Sequence, residues 1–283
     1  MLAPAEQANA RVHQLDFHMG PTQAPETSIY NEAYALSYLY DVPVEFVPEL
    51  AILIQNGVLG KKATAEKWDN IGEHCILAGK MALPIAWLTG LSADNARLVT
   101  QQAYIHDAHL RQEKEKKGKE EAVINGMQRL AVDNQFYYDH EMAHPGILHA
   151  TSMDWRDYQD WPTELQIMRY VDSCVGPEIL PDGTCGRDEL QHYSKRALDL
   201  HQRKEQISYD IGNKWYGGIP AFKHLHTVTA DIEEKLHTAA MQAHPEIMCN
   251  HADPTQFFNV VYDHVHHPTV NWSEYVGYAT LSS

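Results

Sequence analysis

Three observations predict an all-α fold. From Ser28 onward apolar residues recur mostly at helical spacing, alternating strand-like runs are nearly absent, and serine and proline stand where helices begin. The chain has 283 residues and 44% hydrophobic content, enough for one large domain or two small ones without disulfide staples.

The first 27 residues, with Pro4, Gly20, Pro21 and Pro25, predict an extended lead-in. Tyr30, Ala33, Leu36, Leu39 and Tyr40 fit a 3.6-residue period, as do Val47, Leu50, Leu53 and Ile54, with Pro48 limiting where the second helix begins. Ala63 to Leu88 reads as one helix with Trp68, Ile71, Cys75, Ala78 and Ala82 on a face, and Pro84 is expected to kink or end it. Ser92 is a cap for a helix through Val99 and Ala103 to His106. Arg111 to Glu121 is a charge run read as a solvated helix end and loop. Tyr137 to Trp161 reads as a long loop with short helical turns. Pro162 opens a helix with Glu164 at its positive dipole end and Leu165, Met168, Val171 and Val175 inward. Pro177, Pro181, Gly183 and Gly186 predict a linker, and helices are expected again over Leu190–Ile207, Phe222–Ala243 and Thr255–His264. The expected organisation is a lead-in over 1–27, a helical domain over 28–186, and a helical extension over 187–283 packed on the same core.

Lys and Arg number 22 against 38 Asp and Glu, a formal net charge of -16, which argues against long nucleic acid as a partner. It leaves room for a small anionic substrate held by a few local cations. Four scattered cysteines form no Cys-x-x-Cys pair, so neither a zinc ribbon nor a disulfide framework is expected. No signal peptide or membrane span is read, and a cytoplasmic protein is expected. Gly-rich phosphate motifs are absent, so neither a P-loop nor a Rossmann site is indicated.

Histidine is abundant, at 18 residues. His106 follows Ala103 and Val99 on the buried stripe of its helix, where a histidine is either a core residue bonded to a carbonyl or a ligand. Asp107 stands beside it, and an unpaired buried carboxylate costs several kcal/mol on the order expected for ion desolvation. Asp172 repeats the anomaly, four residues after Met168 and seven after Leu165, either paired with Arg169 or facing a cation. His74, between Ile71 and Ala78, is the third case. Three helices each placing a ligand type on an apolar stripe are explained together by a divalent metal.

The ordered set of His74, His106-Asp107 and Asp172 resembles the H…HD…D signature of the HD superfamily, over about Trp68 to Pro177. The intervals are 32 residues from His74 to His106 and 65 from Asp107 to Asp172. The resemblance implies an HD-domain-like helical bundle with additional C-terminal helices, in which these four side chains bind a divalent metal ion (Mn, Mg, Fe, Co, Ni or Zn). It implies a metal-dependent phosphohydrolase or phosphodiesterase acting by metal-activated water on a nucleotide or other small phosphorylated compound. Asp107 would orient the water or bridge to a second metal. After the pair the chain reads Ala108-His109-Leu110-Arg111, without the Gly-Lys of many members, and Arg111 is the candidate cation near the phosphate. His144 and His149 are candidates for contacting substrate or metal, with His140 beside them, where two-metal members insert additional ligands. The alternatives are an HD-type di-iron oxygenase acting on a small polar substrate with dioxygen, and a non-catalytic HD-like binding module. A homo-oligomer is compatible with all three. His224, His226, His264, His266 and His267 read either as a transition-metal site or as exposed helix ends, and Trp215 to Gly218 as a pocket cover or a turn.

Overall fold

In the computed structural model, which describes residues 27–108, 158–180 and 184–277, the chain opens with α1 (Thr27–Tyr40) and a 3₁₀ turn at Val44–Phe46. Next come α2 (Val47–Gln55), α3 (Gly60–Glu66), the long α4 (Asp69–Leu88) and α5 (Ala93–Ile105). After a 3₁₀ turn at Tyr158–Asp160 follow α6 (Thr163–Cys174), the strands β1 (Val175–Ile179) and β2 (Cys185–Leu190), α7 (Tyr193–Arg203) and α8 (Glu205–Trp215). The chain ends in α9 (Ala221–Ala243), the single-turn α10 (Pro245–Met248), α11 (Phe257–His266) and α12 (Trp272–Gly277). Among the described residues no helix is long and apolar enough to cross a membrane.

Helix α4 is the spine. Ala78, Met81, Ala82 and Ile85 face one apolar cluster, completed by α5, α6, α9 and α11. Ile71, Cys75, Ile76 and Leu83 face a second, built with α1 and α2. The first cluster joins residues on both sides of position 187, with Met168 and Val171 of α6 packed in the same core as Leu225 and Ile232 of α9. Helix α5 shares both clusters and lies close against α4 because Gly79 has no side chain. A methyl group there would sit 2.4 Å from the ring carbons of Tyr104, which is fully buried.

The structure revises three expectations. Residues 63–88 are two helices rather than one: Lys67 adopts a left-handed conformation at φ 61°, and its amide caps α3 on Ala63 and Thr64. Pro84 does not end α4, which runs on to Leu88. Proline inside a helix costs roughly 3 kcal/mol through the missing amide and the clash one turn back, and burial of α4 between two clusters offsets it.

The segment read as a linker is an antiparallel hairpin pairing Val175 with Leu190, Gly176 with Glu189 and Pro177 with Asp188, with an irregularity before Ile179. The predicted helix over 190–207 starts only at Tyr193 and is broken at Lys204, because Leu190 is spent on β2. Ser92 caps α5 as expected, its hydroxyl accepting from the Asn95 amide at 3.3 Å.

Candidate metal centre

His74 lies in the second turn of α4, His106 caps the C-terminus of α5, and Asp172 is in the last turn of α6. The three are buried, at 8%, 1% and 9% exposure, so each polar side chain had to be accommodated inside the bundle. The C-terminal ends of α5 and α6 both lie at this place, so the negative ends of two helix dipoles meet here.

His74, His106 and Asp107 each offer one ligand atom, all within 4.8 Å of one another. The imidazoles meet with ring centroids 5.1 Å apart. Asp172 Oδ1 lies 3.3 Å from His74 Nε2 and 3.7 Å from His106 Nε2, and Asp107 Oδ2 lies 3.8 Å from that same His106 nitrogen. The four residues singled out in the sequence thus come together.

The far side of each imidazole is also held. His106 Nδ1 donates to the Ala103 carbonyl at 2.8 Å, which leaves its Nε2 facing the cluster. That nitrogen is buried and has no hydrogen-bond partner among the described residues. His74 Nδ1 donates to Asp188 Oδ2 at 3.0 Å. Asp188, on β2, is a residue that periodicity missed, and this carboxylate–histidine contact is the kind that fixes a ligand's tautomer and raises its basicity.

Charge is balanced by arginines. Arg169 Nη1 meets Asp172 Oδ2 at 3.2 Å, so the pairing weighed in the sequence is present alongside the imidazole contacts. Arg196 Nη1 lies 3.7 Å from Asp172 Oδ1. Burial works against ionisation of Asp172, but Arg169, Arg196 and the two imidazoles outweigh it and hold its carboxyl well below the usual range. Burial likewise opposes charge on His74, yet its hydrogen bonds to Asp172 and Asp188 prevail and raise its pKa. His106 is raised further against its burial, chiefly by the neighbouring Asp107. Burial pushes the Cys75 thiol up.

Arg111, His140, His144 and His149 lie outside the described residues. The C-terminal histidines form no comparable group among the described residues. His224 stacks on Tyr216, His226 lies against Tyr193, and His264 bonds the Val260 carbonyl of its own helix. Gly217 and Gly218, at φ 60° and 90°, make the Trp215–Gly218 segment a turn after α8. Comparison of the chain with protein-family models, curated proteins and solved structures returns no match.

The cluster's donor set fits a divalent cation on its own chemistry, because two imidazole nitrogens and two carboxylates converge there, the ligand types such ions draw on. If Asp188 steadies His74 for that purpose, Asp188→Asn lowers metal affinity by roughly 10- to 100-fold while the melting profile stays close to wild type. Metal titration of the purified variant measures this, and an unchanged affinity would make Asp188 a packing partner of His74 only.

Proposed function

We propose that the protein is a metal-dependent phosphohydrolase of the HD type acting on a small phosphorylated compound, a nucleotide among the candidates. The single observation that carries this reading is the buried convergence of His106 Nε2 on His74, Asp107 and Asp172, with no hydrogen bond to that nitrogen among the described residues. In this reading these four residues hold one divalent ion. Such an ion supplies Lewis acidity and brings the pKa of a bound water near neutral.

The chain's own groups do the rest. Ala103 and Asp188 fix which nitrogen each imidazole presents. Asp107, with a quarter of its side chain exposed, is the most accessible of the four and would help hold the ion and orient a water bound to it. The acidic net charge favours a small substrate over polymeric nucleic acid.

The test is metal content of protein prepared without tag or chelator, followed by a screen of nucleotides and sugar phosphates. One divalent ion per chain with ester hydrolysis supports the reading. Two irons with dioxygen consumption replace it by the oxygenase, bound metal without turnover by a binding module, and absence of metal after reconstitution removes it.

Protons compete for the same nitrogens. Both imidazoles have raised pKa values in the metal-free cluster, so they keep their protons to higher pH than an ordinary histidine, whereas a ligand must be neutral. Apparent metal affinity is therefore expected to rise as pH is raised from 6 to 8 (about two proton equivalents at most). Calorimetry in two buffers of different ionisation enthalpy reads the released protons, and pH-independent binding would show that neither imidazole is a ligand.

A further inference from the structure

The two arginines beside Asp172 are not equivalent. Arg169 is almost wholly buried, at 3% exposure, and its donors are spent inside the protein. Nη1 is on Asp172, while Nε and Nη2 are both on Ser173 Oγ at 3.1 and 2.9 Å. It is the nearer of the two arginines that offset the charge of Asp172. Arg196 reaches the same carboxylate from α7 with Nη1 at 3.7 Å, beyond hydrogen-bonding range, and that buried atom has no hydrogen-bond partner among the described residues. Its side chain keeps 17% exposure, so it is open to solvent on one side.

The hairpin is shaped to let Arg196 through. Gly176 of β1 pairs with Glu189, and a methyl group at Gly176 would lie 3.2 Å from Arg196 Cδ, 3.3 Å from its Nε and 2.4 Å from Gln191 Nε2. Gln191 is itself anchored by its amide to the Cys174 carbonyl at 2.8 Å. The guanidinium is thus delivered to the cluster by a glycine that leaves room for its stem.

Local charge gives it a task. Asp107, Asp172 and Asp188 face Arg169 and Arg196, and with both imidazoles neutral a divalent ion leaves the cluster with one positive charge in excess. An anion is the complementary ligand. A guanidinium with unspent donors matches phosphoryl oxygens in geometry as well as charge.

We infer that Arg196 is the phosphate anchor of this site, its spare N–H groups binding a phosphoryl oxygen of the substrate beside the metal position. This rests on the phosphohydrolase reading above, and it assigns to a residue of α7 the task that the sequence suggested for Arg111.

The test uses the full metal-loaded chain with orthophosphate as the probe, binding and metal content being measured on the same samples. Arg196→Met is expected to keep its metal, to weaken orthophosphate binding at least about 10-fold, and to raise KM more than it lowers kcat. Arg196→Lys, which retains charge but loses the fork, recovers part of the binding, and it is the variant read if the Met variant folds poorly. Wild-type orthophosphate affinity in both variants overturns the anchor and leaves the hydrolase reading standing. Loss of metal from both makes Arg196 only a counter-charge for Asp172 and also overturns it. A wild-type chain that holds its metal and ignores orthophosphate removes the hydrolase reading and the anchor with it.

Discussion

On the proposed metal-hydrolase reading, replacing His106 by asparagine is expected to abolish divalent-ion binding and to lower phosphate-ester turnover by about 10³-fold or more. A factor of that size corresponds to roughly 4 kcal/mol of barrier, within what a Lewis acid and an activated water supply together. Asparagine is the informative substitution because its amide can still donate to the Ala103 carbonyl that His106 Nδ1 now satisfies at 2.8 Å, whereas nothing on it reaches the Nε2 position. His106→Ala would open a cavity at a site with 1% exposure and add a packing loss to the loss of a ligand. Metal content by elemental analysis, with a thermal melt alongside, separates the two effects. Wild-type metal content in His106→Asn would mean that the convergence of imidazoles and carboxylates has another purpose.

The largest structural effect is expected at Gly79. Glycine to alanine inside a helix ordinarily stabilises by about 0.5–1 kcal/mol through chain entropy alone. Here the added methyl meets the body of the fully buried Tyr104 ring at 2.4 Å, and overpacking of a core costs about 1–3 kcal/mol. The steric term wins, so Gly79→Ala is expected to lower Tm by several degrees. Because α4 and α5 carry His74 and His106, forcing them apart should also weaken metal binding at a position that touches no ligand. A melting curve and a metal titration on one preparation check both. A variant more stable than wild type would show that Tyr104 has room to move.

The helical class and the four clustered residues were legible because both rest on local signals. Ser92 and Pro162 mark where α5 and α6 begin, and a polar residue in an apolar stripe is conspicuous at 3.6-residue spacing, as His74, His106 and Asp172 are. What escaped depends on partners distant in sequence. Asp188 belongs to a strand inside a Pro- and Gly-rich stretch, and its importance arises only when β2 lies against α4. Leu180-Pro181-Asp182-Gly183-Thr184 was a turn signal that pointed to the hairpin. Arg196 reads as one more cation on the polar face of an amphipathic helix. Lys67 gives no warning of a left-handed conformation, which glycine or asparagine would have done. Gly79 acquires its meaning from Tyr104, 25 positions on, across a helix–helix contact.

The hairpin has a consequence for the energetics of the whole site. A ribbon of two strands is marginal by itself, and Pro177 removes one donor from it. Its order is sustained by the surfaces it meets, among them the His74 ring that Asp188 grips. Coupling of this sort is reciprocal: whatever free energy a closed hairpin lends to holding a cation, the cation must return to the closed hairpin. The ribbon is then the least autonomous piece of the wall, and on the proposed metal reading an ion held at His74 would steady a hairpin that two strands alone would not keep closed.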